Sequence, residues 1–335
     1  MLLLIHRRIL KTVTFILLAL GGFLCWRMSL DIQSTFSRSY RVQEYRKLQE
    51  LAILKPNVSS PTNLFSTKQS NEKLLQHKTT LITTTSCGRP YFLLVLVSSA
   101  PFNARRRRDI RLTWGVDSTL NQRWKTLFLV AQTRNQTESE ALLKEDESFR
   151  DLIRADYYEH YWNQTLKIQM AFEWASLYCN FSFLLKMDDD TFVNVKSLIS
   201  VLAKPEIPKE KLYMGHCPKG PYVKREGKWK VSFKDYKHKF YPDFCSGYGI
   251  VLSSDLVHLF VDLYAVVPWF RIDDVYIGML AEKAGVKPKY VGKFHIVEPP
   301  INVTCVNLKK PDDILVWHGV TGKCLFEVFQ STLDF

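Results

Sequence analysis

Apolar residues in this chain gather in short unbroken runs. YFLLVLVSS (Tyr91 to Ser99), TLFLVA (Thr126 to Ala131) and FSFLLKM (Phe181 to Met187) are continuous and rich in branched side chains. Such runs fit strands covered on both faces. Leu152 to Tyr158 and Gly249 to Ser253 read as further strands. Arg105 to Trp114, Ser139 to Asp146 and Thr165 to Tyr178 read as helices between them, the last with apolar residues at helical spacing. Ser254 to Tyr264 and Asp273 to Lys283 follow as helices, the second stopped by Gly285. Strands alternating with helices predict an α/β body: a mostly parallel sheet with helices on both faces. After Lys209 the pattern loosens, and Gly, Pro, Lys and aromatic residues dominate as far as Phe244.

A different pattern opens the chain. Ile9 to Trp26 is almost wholly apolar, interrupted mainly by Lys11, with Arg7 and Arg8 before it and Arg27 after it. It suits a slightly short membrane span. A cleaved signal peptide is the rival reading, but the run passes through Phe23, Leu24 and Trp26 without a small-residue cleavage pattern. From Arg27 to Ser86 the chain is polar; Ser39 to Leu54 suits a short helix, and the rest reads as a stem. The expected organisation is a tail at 1–8, a signal-anchor at 9–26, a stem at 27–86 and a globular domain at 87–335.

Apolar residues make up 46% of the chain, which suits a packed body and excludes a disordered one. The net charge of +13 suits an anionic partner: nucleic acid, a membrane surface or a phosphate-bearing substrate. Cysteines and sequons narrow the choice. Cys25 lies in the apolar run, and Cys87, Cys179, Cys217, Cys245, Cys305 and Cys324 form an even set beyond it. No two of them make a CxxC pair, so up to three disulfides are expected and a structural zinc site is not. Five N-glycosylation sequons, at Asn57, Asn135, Asn163, Asn180 and Asn302, all follow the apolar run and favour a lumenal body. With no nucleic-acid-binding module recognisable, the nucleic-acid reading falls away.

The richest chemistry lies in FLLKMDDDTFVNV, Phe183 to Val195. An apolar strand ends in Asp188, Asp189 and Asp190, at the strand end where α/β sheets bind ligands. Adjacent carboxylates repel one another unless a cation neutralises them. Alternate residues of an extended chain face the same way, so Asp188 and Asp190 can share a hard cation such as magnesium or manganese. The plain alternative is a solvated turn whose Asp caps the next helix. Asp273 and Asp274 open a helix: Asp273 suits an N-cap, and Asp274 is a candidate base that the helix N-terminus would keep ionised. His318, after a short apolar strand, is either structural or a further metal ligand. Arg105 to Arg108, continuing to Arg111, is either a solvated helix face or an attractor of a nucleotide diphosphate.

Five segments, in this order, carry a family resemblance: RRDIRLTWG (Arg107 to Gly115), DYYEHYWNQTLK (Asp156 to Lys167), FLLKMDDDTFVN (Phe183 to Asn194), YPDFCSGYGIVLS (Tyr241 to Ser253) and IDDVYIG (Ile272 to Gly278). The chain resembles the β-1,3-galactosyltransferase and β-1,3-N-acetylglucosaminyltransferase family of Golgi type II membrane enzymes over nearly all of Cys87 to about Gly319. The resemblance implies a GT-A-type nucleotide-sugar-binding fold and an inverting transfer of galactose from UDP-galactose to a glycan 3-hydroxyl, giving a β1→3 linkage. It assigns manganese to Asp188, Asp190 and His318, and the base to Asp274. It places Arg107, Arg111, Lys167, Lys186, Asp188 and Asp189 around the donor, and Trp229, Tyr241, Ser246 and Gly247 on the acceptor side. Many galactosyl members have DSD or DTD where this chain has three aspartates, which keeps UDP-N-acetylglucosamine as an alternative donor. A catalytically silent glycan-binding protein of the same fold is the alternative in another class; intact Asp188, Asp190, Asp274 and His318 argue against it.

Overall fold

Strand β2 (Tyr91–Ser98) lies at the centre of the body because its side chains have no solvent face: Leu93 to Val97 are all fully buried. Leu94 and Leu96 join one apolar core, and Leu93, Val95 and Val97 join the other. The same alternation divides β3 (Trp124–Gln132) and β5 (Phe181–Asp188), so the sheet is a partition between two cores. The computed structural model describes residues 81–82, 87–116, 122–296 and 314–333, all within the unit Thr67–Phe335. The expected span at 9–26, the helix at 39–54, Asn57, Asn302 and Cys305 lie outside the described residues, as does the stem apart from Leu81–Ile82. Among the described residues no helix is long and apolar enough to cross a membrane.

Eight strands form the main sheet in the order β1-β4-β3-β2-β5-β8-β7-β9. Here β1 is Leu81–Ile82, β4 Leu152–Tyr158, β7 Tyr213–Gly215, β8 Gly249–Ser253 and β9 Lys289–Tyr290. Strands β4, β3, β2 and β5 run parallel, as the alternating pattern predicts. The flanks depart from it. β1 is antiparallel to β4, and β8 is antiparallel to both β5 and β7. β1 also places two residues of the expected stem on the sheet edge. A second sheet, ordered β10-β11-β6, joins Phe294–Ile296, Val316–His318 and Thr191–Val193.

Helices cover both faces. α1 (Ala104–Arg111), α2 (Gln136–Phe149), α4 (Val195–Leu202) and α7 (Lys323–Ser331) pack on the core shared with the small sheet. α3 (Gln164–Tyr178), α5 (Ser254–Leu263) and α6 (Asp273–Lys283) fill the other. Asn135 caps α2 by accepting from the Glu138 N–H, and Asn194 caps α4 by accepting from Ser197. Disulfides join Cys87 to Cys179 and Cys217 to Cys245, and Cys324 is also disulfide-bonded.

The run of arginines on α1 has divided fates. Arg107 is fully buried, and its guanidinium is bidentate to Glu145 of α2 at 2.8 and 2.7 Å. Its other bonds reach the Ser99 hydroxyl and the Ala100 and Pro101 carbonyls. Arg111 is bidentate to Asp151, both at 2.7 Å, and also meets Glu145 at 2.8 Å. It lies between the rings of Phe128 and Phe149. Burial works against charge on Glu145, but the two arginines outweigh it and hold the carboxyl below its ordinary range. Buried cations need partners, and these two are fully engaged in joining α1 to α2 and β4. The resemblance places Arg107 and Arg111 around the donor; in the structure their guanidiniums face these carboxylates. Glu145→Ala should leave buried Arg107 with no carboxylate and Arg111 with Asp151 alone, costing about 3–5 kcal/mol and lowering the thermal midpoint by about 10 °C. A midpoint within a degree or two of the native protein's would contradict this role.

Candidate active site

β5 delivers its carboxylates beside the end of β2, with Ser98 opposite Asp188 in the parallel register. Asp189 turns inward. It accepts from the Ser99 hydroxyl at 2.7 Å, Asn103 Nδ2 at 2.9 Å and Arg106 Nη1 at 2.7 Å. Asp189 and Asp190 form the turn between β5 and β6, and Arg106 Nη1 also lies 3.5 Å from Asp190 Oδ2. No helix starts at this turn; β6 follows at once, and the cap of α4 is Asn194. Pairing of β6 with β11 sets Thr191 opposite His318. The N–H groups of Gly319 and Val320 donate to the Asp190 carbonyl at 2.9 and 3.0 Å. His318 Nε2 thereby comes within 3.5 Å of Asp190 Oδ1.

Asp188, Asp190 and His318 each offer one ligand atom, all within 4.8 Å of one another. Asp190 Oδ1 is buried and accepts no hydrogen bond. Two carboxylates and an imidazole suit a hard or borderline divalent ion such as magnesium or manganese. Five aspartates, at 188–190 and 273–274, meet here against the cations Lys186 and Arg106, and the surplus is negative. The residues present therefore fit a divalent cation. The Tyr248 ring packs 5.2 Å from the His318 ring and supports it from the side.

Lys186 ties the second acidic pair to the first. Its buried ammonium donates to the Gly247 carbonyl at 2.6 Å, meets Asp273 at 2.9 Å and lies 3.3 Å from Asp188. Burial alone would lower its pKa, but Asp188 and Asp273 outweigh burial and push it above the ordinary lysine range. Asp188 is pushed up by burial, against Lys186, with Asp273 and Asp190 adding to the rise. Asp273 is not the N-cap that its position suggests: Ile272 occupies that place, and the Asp273 carboxylate serves Lys186. Asp274 accepts from the N–H groups of Val275 at 2.8 Å and Gly247 at 3.2 Å. Burial, then the neighbouring Asp273, raises its pKa to about 7 against the pull of Lys186 and the two N–H groups. The helix N-terminus does not keep it at the ordinary carboxylate value, as the sequence suggests; desolvation wins.

A sequence model of the family described as galactosyltransferase matches residues 105–291, more than half of the chain. The chain belongs to the galactosyltransferase family. It is 31% identical over 271 residues to mouse beta-1,3-galactosyltransferase 5, covering 76% of this chain and 86% of that protein. It is 32% identical over 269 residues to human lactosylceramide 1,3-N-acetyl-beta-D-glucosaminyltransferase, covering 76% and 67%. Among solved structures, the WbbM bifunctional glycosyltransferase overlaps at a TM-score of 0.40 and 9% identity, over 72% of this chain and 47% of that one.

In this galactosyltransferase-family chain, the other expected site residues have the following surroundings. Lys167 is buried and bonds both Glu159 oxygens and the Ser99 carbonyl, so it braces the turn beneath Asp189. Tyr241 packs into the core against Tyr236 and Phe270. Ser246 Oγ lies 3.4 Å from His216 Nδ1. A side chain at Gly247 would be tight: a Cβ there would sit 3.1 Å from Lys186 Nζ and 3.4 Å from Asp274 Cβ. Trp229 is exposed beside Tyr161 and Trp162. Of the sequons, Asn135 and Asn180 are exposed, while Asn163 is half-buried and donates to the Tyr158 carbonyl. Ser99 and Asn103 enter the site unforeseen, because only the strand order sets the end of β2 beside β5; of the arginine run, Arg106 joins them. Asp189→Ala should weaken manganese affinity about 10–100-fold although Asp189 is not one of the three clustered residues, because it fixes their turn. Calorimetric titration with manganese chloride measures this, and native affinity in the variant would contradict it.

Proposed function

We propose that this protein is a metal-dependent, inverting β-1,3-galactosyltransferase that uses UDP-galactose. On this reading it is anchored in the Golgi membrane by residues 9–26, with a GT-A-type domain in the lumen. The observation that carries the reading is the joining of two acidic centres by Lys186: Asp188, Asp190 and His318 on one side, Asp273 and Asp274 on the other. Family membership and the likeness to proteins named as beta-1,3-galactosyltransferases support the chemistry. The apolar run and the sequons beyond it support the location.

A bound divalent ion would supply charge for the donor diphosphate, and Asp188, Asp190 and His318 would hold it. Arg106, half-exposed and 3.5 Å from Asp190, is the member of the arginine run that lies at this edge. Asp274 takes the proton from the acceptor 3-hydroxyl as that oxygen attacks the anomeric carbon. The new C–O bond forms as the bond to the UDP oxygen breaks on the opposite face, so an α-linked donor gives a β-linked product. Two backbone N–H groups keep the Asp274 carboxylate oriented, and its raised pKa makes it a stronger base than an ordinary aspartate.

The test is a donor screen with the full chain in detergent, manganese and a panel of glycoside acceptors. UDP-galactose should give the fastest transfer; transfer from UDP-N-acetylglucosamine alone would favour the chemistry named for the human relative. Asp274→Asn should lower kcat by about 10²–10⁴ while UDP affinity stays near native. The base acts only when ionised, so kcat/KM should fall as pH drops below about 7. Near-native turnover in Asp274→Asn, or a rate flat from pH 8 down to 5, would assign the base elsewhere.

A further inference from the structure

The segment between Cys217 and Cys245 is tied at its base by the disulfide that joins them. It carries seven lysines and Arg225 against Glu226, Asp235 and Asp243. All seven lysines are exposed, and none makes an ion pair among the described residues. Unpaired ammonium groups at this density repel one another, a cost that an anionic partner removes. The excursion is nonetheless ordered. Arg225 donates to the carbonyls of Val231, Tyr236 and His238 at 2.8 to 2.9 Å and so folds the segment back on itself. The Val223 N–H meets the Lys239 carbonyl at 3.0 Å, and the Tyr241 N–H meets the Pro221 carbonyl at 2.8 Å. Val223 and Val231 are buried as anchors.

Its tip reaches the catalytic edge. Lys228 Nζ lies 4.6 Å over the Tyr161 ring and 4.9 Å over the Trp229 ring. Arg271, two residues before Asp273, stacks on Trp162 and donates to the Lys230 carbonyl. Tyr161 lies near enough to the site that, after burial, the Asp273 and Asp188 charges help to raise its hydroxyl pKa. Exposed rings alternate with the lysines: Tyr222, Trp229, Phe233 and Phe240. Ring faces suit the apolar faces of sugars, and ammonium groups suit carboxylate or sulfate. Cations sit on three of these rings, Arg225 on Phe233 at 3.9 Å, Lys228 on Trp229 and Lys239 on Phe240 at 5.5 Å. The segment forms no amphipathic helix with one apolar face, the form that lies in a lipid surface, so the pattern favours a glycan.

We propose that the Cys217–Cys245 excursion is a docking surface for an acidic glycan chain, holding sulfate or carboxylate groups beyond the sugar that is extended. The inference rests on the reading that the acceptor is a glycan. The aspartates of the catalytic edge would repel an anionic group on the attacked sugar itself, so the acidic groups lie at least one sugar away. The surface then selects the acceptor by its charge while the catalytic edge selects the hydroxyl.

The test measures binding, so it stands apart from whether transfer is observed. The full chain in phosphatidylcholine nanodiscs is titrated with a heparin-derived hexasaccharide and with neutral maltohexaose, and lysine acetylation is followed by mass spectrometry. The hexasaccharide should bind at least about tenfold more tightly than maltohexaose, weaken as salt rises, and slow acetylation of Lys224, Lys228 and Lys234. The combined substitution Lys234→Gln, Lys237→Gln and Lys239→Gln should weaken it roughly tenfold. The footprint on the native chain decides the matter if that variant fails to fold. Equal affinity for the two sugars would overturn the proposal, as would protection confined to lysines outside the excursion. Protection by phosphatidylserine added to the nanodiscs, with none by the hexasaccharide, would overturn it in favour of a membrane.

Discussion

Lys186 is an ammonium on the central strand β5, buried among carboxylates that would otherwise repel one another. Its partners come from distant parts of the chain: Asp188 from its own strand, Gly247 from the turn before β8, and Asp273 from the start of α6. Removing a buried charge's partner leaves an uncompensated ion, so these elements are held in one arrangement. The second constraint is Asp189, whose three hydrogen bonds fasten the end of β5 to the turn after β2. With Asp189 turned inward, Asp188 and Asp190 can face His318. The two centres of the site depend on these anchors more than on the carboxylates that would touch substrate.

Around the anchors lies a further layer. Arg107 and Lys167 both clasp the Ser99–Pro101 turn, and Ser99 in turn donates to Asp189. A charge that looks suited to a diphosphate thus works through the backbone that places a carboxylate. Only Arg106, one residue earlier, is half-exposed at the edge. One helical run of arginines therefore serves both the body and the site, according to which side of α1 each residue occupies.

The parallel centre of the sheet was legible because β2, β3 and β5 are buried on both faces and leave continuous apolar runs. β6, β7 and β9 are two or three residues long, too short to leave a period in the sequence, so the antiparallel flank and the small sheet stayed hidden. Asp188, Asp190 and His318 could be chosen from residue chemistry and family resemblance, and β6–β11 pairing supplies the physical reason they meet. The ion pairs of Arg107 and Arg111 could not be read from the sequence, because their partners, Glu145 and Asp151, lie 38 and 40 residues away. Asp273 was misread because a helix start suggests a cap, while its real partner is a lysine on another element. In each case charge was visible in the sequence and its partner was not.

The decisive question is whether the strand-end turn fixed by Asp189 and the strand β11 together hold one cation, apart from Asp273 and Asp274 at the start of α6. Anomalous diffraction from crystals grown with manganese and UDP answers it. A single peak is expected, about 2.0–2.3 Å from oxygens of Asp188 and Asp190 and from His318 Nε2, with Lys186 still on Asp273. A peak at Asp273 and Asp274, or one that leaves out His318, would contradict it.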